Sequence, residues 1–262
     1  MTQQPIVVFD SGVGGTSILK ELVSTLPHEN FIYLADSKNA PYGEKPKDDI
    51  INLSIKNTEL ALKMEAKLIV VACNTATTNA IQHLRTHYPL PFIGIEPAIK
   101  PAALQSEMKR VGILATKGTL SSELFKQTSE HFAQGIEVVE VEGKGIVEAV
   151  EGGWTTDAEF IKTLSLQLKP FLEENIDYLV LGCTHFPYII PILQTLLPPD
   201  VKIIDSGRAV AKQTKAVLEN NQLKTKSTTN GTVQIFSNAK SILPIKTLVK
   251  QLSHVSIQQT DF

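Results

Sequence analysis

The sequence predicts an α/β protein of two similar lobes with mostly parallel sheets, pseudo-symmetric, facing each other across a cleft. Three observations predict it. Short apolar runs alternate with helix-like segments from end to end, as in βα units. Both cysteines sit just after such runs, in Leu68-Ile69-Val70-Val71-Ala72-Cys73-Asn74-Thr75 and Tyr178-Leu179-Val180-Leu181-Gly182-Cys183-Thr184-His185. The spacing also repeats, because Cys73 follows the Ile6 run, and Cys183 the Val111 run, by about 70 residues in each case.

The runs that read as buried parallel strands are Ile6–Phe9, Phe31–Leu34, Leu68–Ala72, Phe92–Ile95, Val111–Leu114, Ile136–Val139, Tyr178–Leu181, Val201–Ile204 and Val233–Phe236. After Thr156 a helix is expected. Thr156 and Glu159 have capping-box spacing, and Phe160, Leu164, Leu168, Phe171 and Leu172 form one apolar stripe. The polar stretch 220–230 reads as a surface loop. Residues 1–97 and 207–262 are expected to form the first lobe and 98–206 the second. The tail is too short for a third domain and is expected to return to the first lobe.

Bulk properties narrow the function. With 42% hydrophobic and 20% charged residues the chain is an ordinary globular protein. A net charge of -2 gives no argument for a nucleic-acid or membrane partner. No run is long enough to span a bilayer, and the start lacks the order of a signal peptide, so a cytoplasmic protein with reduced thiols is expected.

The first strand leads into Asp10-Ser11-Gly12-Val13-Gly14-Gly15-Thr16-Ser17. A glycine-rich turn at a helix start offers backbone N–H groups to an anion. Ser17 replaces the last glycine of a dinucleotide fingerprint, and the lysine of a P-loop is missing. Asp36 stands roughly where a ribose-binding acid would, which keeps a nicotinamide cofactor open; a plain packing turn is the other alternative. Pro41-Tyr42-Gly43 can cover a pocket or serve as an ordinary turn. His83 and His87 are four apart on a helix, but Leu84 breaks the H-E-x-x-H pattern and no metal is expected.

A single cysteine at a strand end would read as an inert buried thiol. Two, each at a strand's carboxyl end and each followed by helix-capping residues, point into ligand crevices. A free thiol has a pKa near ~8.5, and a helix N-terminus lowers it. Asp10 beside one thiol, or His185 beside the other, could act as the adjacent base. Glu151, in Glu151-Gly152-Gly153-Trp154, could orient a histidine or be a solvated acid beside a turn.

On these residues the chain resembles the glutamate racemases of the aspartate/glutamate racemase family, cofactor-independent enzymes of bacterial cell-wall synthesis. The resemblance spans nearly the whole chain. It rests on Phe9-Asp10-Ser11-Gly12-Val13-Gly14-Gly15, Ala35-Asp36 with Pro41-Tyr42-Gly43, Ala72-Cys73-Asn74-Thr75-Ala76 and Gly182-Cys183-Thr184-His185-Phe186-Pro187. It implies two α/β lobes with the active site between them, a homodimer, glutamate as substrate, and no cofactor or metal. It implies that Cys73 and Cys183 transfer protons, assisted by Asp10, His185 and Glu151, with Glu148 a rival to Glu151. It places substrate contacts at Asp10, Ser11, Tyr42, Gly43, Asn74, Thr75, Thr184 and His185. Many relatives carry a third cysteine and a proline-containing segment before the position of Glu151; this chain has neither there. An aspartate racemase and a non-catalytic amino-acid binding protein are the alternatives.

Overall fold

The computed structural model describes residues 2–132 and 135–262. The first series of elements is β1 (Ile6–Asp10), α1 (Thr16–Thr25), β2 (Phe31–Ala35), α2 (Lys47–Lys63), β3 (Leu68–Val71), α3 (Asn74–His87) and β4 (Phe92–Gly94). Past α4 (Ile99–Gln105) a second series follows: β5 (Arg110–Ala115), α5 (Lys117–Leu120), α6 (Glu123–Phe132), β6 (Glu137–Glu142), α7 (Ile146–Gly152), α8 (Ala158–Gln167), α9 (Lys169–Glu173), β7 (Tyr178–Gly182), α10 (Ile190–Leu196) and β8 (Lys202–Ile204). The chain ends with α11 (Gly207–Asn220), β9 (Val233–Ser237), α12 (Leu243–Val249) and β10 (Val255–Gln259).

Two parallel sheets result, ordered β10-β9-β2-β1-β3-β4 and β6-β5-β7-β8. The internal duplication is visible in these orders, since β2-β1-β3-β4 and β6-β5-β7-β8 follow the same path. In each sheet the path reverses beside its first strand, between β1 and β3 and between β5 and β7. Such a switch point opens a crevice at the strands' carboxyl ends. Register then sets what lies there. Phe9 pairs with Val71, so Ser11 falls beside Cys73; Ala115 pairs with Gly182, so Thr116 falls beside Cys183.

All nine expected strands form, with ends displaced by at most three residues, the most at β6. The tenth, β10, has the sequence VSIQQ at a sheet edge, with its side chains largely exposed. It has no apolar run because little of it is buried. The helix after Thr156 also differs from expectation. Asp157 takes the N-cap position, with no side-chain capping bond, and the helix breaks at Leu168. Pro170 lies in the first turn of α9, where its missing N–H is tolerated, whereas a helix continuing through it would lose a bond. The stripe survives the break as far as Phe171: Phe160, Leu164, Leu168 and Phe171 are buried, but Leu172 is 40% exposed. No helix among the described residues is long and apolar enough to cross a membrane.

At the amino ends of the first sheet, Lys67 and Glu29 form a fully buried ion pair. Lys67 also donates to the Thr2 carbonyl, at 2.7 Å, and Glu29 accepts the Thr225 N–H, also at 2.7 Å. The pair therefore joins the start of the chain, β3 and the loop before β9. Removing one partner of a buried pair leaves an uncompensated charge, costing about 3–5 kcal/mol. Glu29→Ala should lower the free energy of unfolding in urea by about that amount, and Glu29→Ala with Lys67→Met by clearly less.

Candidate active site

The glycine turn after β1 does bind an anion, but the anion belongs to the protein. Asp10, fully buried at the end of β1, accepts N–H bonds from Gly12 at 3.2 Å and Gly15 at 2.9 Å through Oδ2. Its Oδ1 accepts the Thr184 hydroxyl at 3.3 Å. The Val13 N–H donates to Glu151 Oε1 at 2.6 Å, and the Gly14 N–H points at His185 Nε2 at 3.2 Å. With the Gly12, Val13 and Gly15 N–H groups occupied and His185 packed against Gly14, the turn has no cradle left for a pyrophosphate. Asp36 is not a ribose-binding acid either. Its buried carboxylate takes Tyr42 Oη at 2.6 Å, Asn39 Nδ2 at 2.8 Å, Lys56 Nζ at 3.0 Å and Asn238 Nδ2 at 2.5 Å. Its visible consequence is to fix the Tyr42 ring, whose hydroxyl also accepts from Asn57 at 3.1 Å.

Cys73 is the N-cap of α3, and its sulfur accepts the Ala76 N–H at 3.4 Å. Its thiol faces Ser11 Oγ at 3.8 Å. Burial pushes the Cys73 thiol far up, and the Asp10 charge pushes the same way; the Ala76 N–H and Ser11 oppose them without prevailing. In the unliganded site Cys73 is therefore a thiol. Cys183, buried at the end of β7, lies 3.8 Å from His185 Nδ1. His185 Nε2 lies 2.7 Å from Glu151 Oε1, a carboxylate contact that makes Nε2 a donor. Burial alone would lower the His185 pKa, but the bonds and charges of Cys183 and Glu151 outweigh it and raise it well above the ordinary value. The imidazole is thus held protonated between a carboxylate and a sulfur.

Both thiols line one small cavity with Ser11, Pro41, Tyr42, Gly43, Asn74, Thr75, Thr116, Val147, Thr184 and His185. Its free volume of about 10 Å³ holds roughly one water. An amino acid therefore enters only if the walls part. Asn74 is 3% exposed, yet both Nδ2 and Oδ1 lack a partner among the described residues. A buried amide without partners is costly, so this one is poised to bind a polar ligand. Thr75, on the first series, meets Thr116 at 2.8 Å and Thr119 at 3.2 Å on the second.

Every site residue expected from sequence either lines this cavity or, for Asp10 and Glu151, contacts residues that do. The carboxylate touching His185 is Glu151; Glu148, with Lys117 and Lys144, lines a neighbouring pocket that shares Pro41, Gly43, Thr116 and Val147 with this cavity. Glu151 owes its place to α7, a two-turn helix stopped by Gly153 in the left-handed region at φ 73°. Sequence reasoning missed Thr116. The duplication could have found it, since Thr116 stands beside Cys183 as Ser11 stands beside Cys73. His83 and His87 stack at 4.0 Å near the end of α3, with no third ligand-type side chain grouped with them among the described residues.

This geometry can be set beside known proteins. A glutamate racemase of Herpetosiphon aurantiacus is 40% identical over 234 residues, covering 89% of this chain and 92% of that protein. A glutamate racemase from Bacillus anthracis superposes with a TM-score of 0.89 at 25% identity, over 100% of this chain and 99% of that one. The Escherichia coli glutamate racemase, solved with L-glutamate and the activator UDP-MurNAc-Ala, gives 0.84 at 31% identity over 98% of each chain. The family described as Asp/Glu/Hydantoin racemase matches residues 8–214, so with its paired sheets and paired thiols the chain belongs to the aspartate/glutamate racemase family.

Proposed function

We propose that this protein interconverts L- and D-glutamate by proton transfer at Cα between two thiols, and that it supplies D-glutamate for peptidoglycan. The observation that carries this is the placement of Cys73 and Cys183 at equivalent strand ends around one cavity. Racemisation removes the Cα proton from one face and returns a proton to the other. One base would have to cross the substrate; two fixed bases need not move. One cysteine starts as thiolate and the other as thiol. At rest, burial makes Cys73 fit the thiol role. Deprotonation spreads negative charge onto the α-carboxylate. Asn74, Thr75 and Thr184 are the polar groups available to hold the carboxylates and that charge. Closure of the lobes, 1–97 with 207–262 against 98–206, would exclude water. The relatives named glutamate racemase support glutamate as the substrate, and a cytoplasmic homodimer fits the same reading.

The test is optical. Each enantiomer of glutamate and of aspartate is added separately to chelator-treated protein and the rotation followed. Decay of the glutamate rotation to zero from both sides is the expected result. Decay with aspartate alone would make it an aspartate racemase, and no decay with either would leave a binding protein.

The pH dependence should show Asp10. Burial raises its pKa to about 6, against the pull of His185 and the Gly15 and Gly12 N–H groups. Protonated Asp10 loses acceptor capacity toward Thr184 and the glycine turn, so kcat/KM should fall as pH drops below about 6. Stability should run the other way. An acid with a raised folded pKa releases its proton more readily when unfolded, so the fold loses up to about 3 kcal/mol as pH rises from about 4 past 6. Asp10→Asn should remove that slope from the urea unfolding profile.

A further inference from the structure

We infer that Ser37 is a positioning residue of this site: its hydroxyl fixes the Glu151 carboxylate in the orientation from which Glu151 can orient His185. The inference rests on the two-thiol reading above. Glu151 Oε1 is occupied by the Val13 N–H and by His185. Oε2 has one partner among the described residues, Ser37 Oγ at 3.0 Å. The Glu151 side chain is 18% exposed, against 1% for His185. Its outer side borders an open pocket of about 870 Å³ lined also by Lys38 and Lys240. Among the described residues the Lys38 ammonium pairs with Asp261 alone, an exposed contact and a weak competitor for its charge. Ser37 lines that pocket too, and its hydroxyl ties Oε2 to the Ser37–Asn39 turn, leaving the carboxylate less free to turn toward solvent and away from His185.

Ser37 is itself firmly placed. It opens a single helical turn, Ser37–Asn39, directly after the buried Asp36. The next N–H, of Lys38, donates to Asn238 Oδ1 at 2.9 Å. One short segment therefore fixes Tyr42 through Asp36 and Glu151 through Ser37, on two sides of the same cavity. The Gly12 backbone allows the close approach: a Cβ there would lie 1.8 Å from Glu151 Oε1.

The test compares wild type with Ser37→Ala, Ser37→Cys and Ser37→Thr, using both enantiomers of glutamate with and without deuterium at Cα. Losing a hydrogen bond to a charged group should lower kcat/KM about tenfold. Thr keeps the hydroxyl and should restore it to within about threefold of wild type. Cys has the volume of Ser but donates weakly, so it should resemble Ala; it replaces Ala if that variant does not fold. Because Ser37 acts through His185 on Cys183 alone, the deuterium effect on kcat/KM should rise for the enantiomer whose proton Cys183 removes. It should fall for the other enantiomer, as return of the proton from Cys183 becomes the slower step. The enantiomer Cys183 acts on is the one whose α-proton Cys73→Ser still exchanges. Activity within twofold of wild type in Ser37→Ala or Ser37→Cys, equal isotope effects for both enantiomers, or no recovery with Thr would overturn the inference. Wild type that fails to racemise glutamate would instead overturn the two-thiol reading.

Discussion

Cys73→Ser and Cys183→Ser are each expected to stop racemisation and to leave opposite enantiomers as substrates for exchange. A serine hydroxyl is far too weak an acid or base at neutral pH to replace a thiol, so the loss should reach about 10⁴-fold. The remaining thiol still faces one side of the substrate. In heavy water each variant should therefore exchange the α-proton of one enantiomer without converting it, and the two variants should choose differently. Wild type in heavy water should form product carrying deuterium at Cα, because the returning proton comes from a solvent-exchangeable thiol. Substrate recovered early should carry little. The same enantiomer exchanged by both variants, or racemisation surviving in either, would refute the assignment. Steady-state rates alone cannot replace this measurement. The enantiomers have equal free energy, so kcat/KM is the same in both directions for every variant, however lopsided its site.

The thiols were legible in the sequence because chemistry and topology agree there. An apolar run followed by Cys and small polar residues is both a strand end and a helix cap, and Cys73 does cap α3. Duplication made the second thiol readable from the first. The destination of the glycine turn was not legible. Its sequence shows that N–H groups are presented, but their partners, Asp10 and Glu151, include one more than a hundred positions away. The same limit hid Ser37, whose function depends on a carboxylate on α7, and Thr116, whose polarity is ordinary until register sets it beside Cys183. β10 escaped for another reason: an edge strand buries so little that no apolar pattern marks it. The apolar runs that identified the other nine strands are a property of buried parallel sheets, and they fade where burial ends.

Gly14→Ala should abolish most activity while leaving the protein folded. Gly14 has an ordinary backbone conformation, so alanine costs nothing there in φ. Space is the obstacle. A Cβ at Gly14 would lie 2.2 Å from His185 Nδ1, 2.5 Å from Cγ and 2.6 Å from Cε1, against the body of the ring. His185 is 1% exposed and bonded to Glu151, so it cannot swing to solvent without breaking that contact. The ring must shift from the one atom through which it faces Cys183, and the 3.8 Å Nδ1–Sγ approach is lost. Acid–base assistance of this kind contributes about 10²–10⁴-fold, so kcat/KM should fall roughly a thousandfold. Overpacking one methyl costs about 1–3 kcal/mol, which a domain of ordinary stability survives. The loss should also be one-sided in mechanism. Cys73, with Asp10 and Ser11, lies across the cavity, so Gly14→Ala should still exchange the α-proton of the enantiomer that Cys183→Ser exchanges. Full activity in folded Gly14→Ala would show that His185 has no part in the chemistry of Cys183. Loss of exchange with both enantiomers would show that the methyl disrupts the whole cavity rather than one thiol's partner.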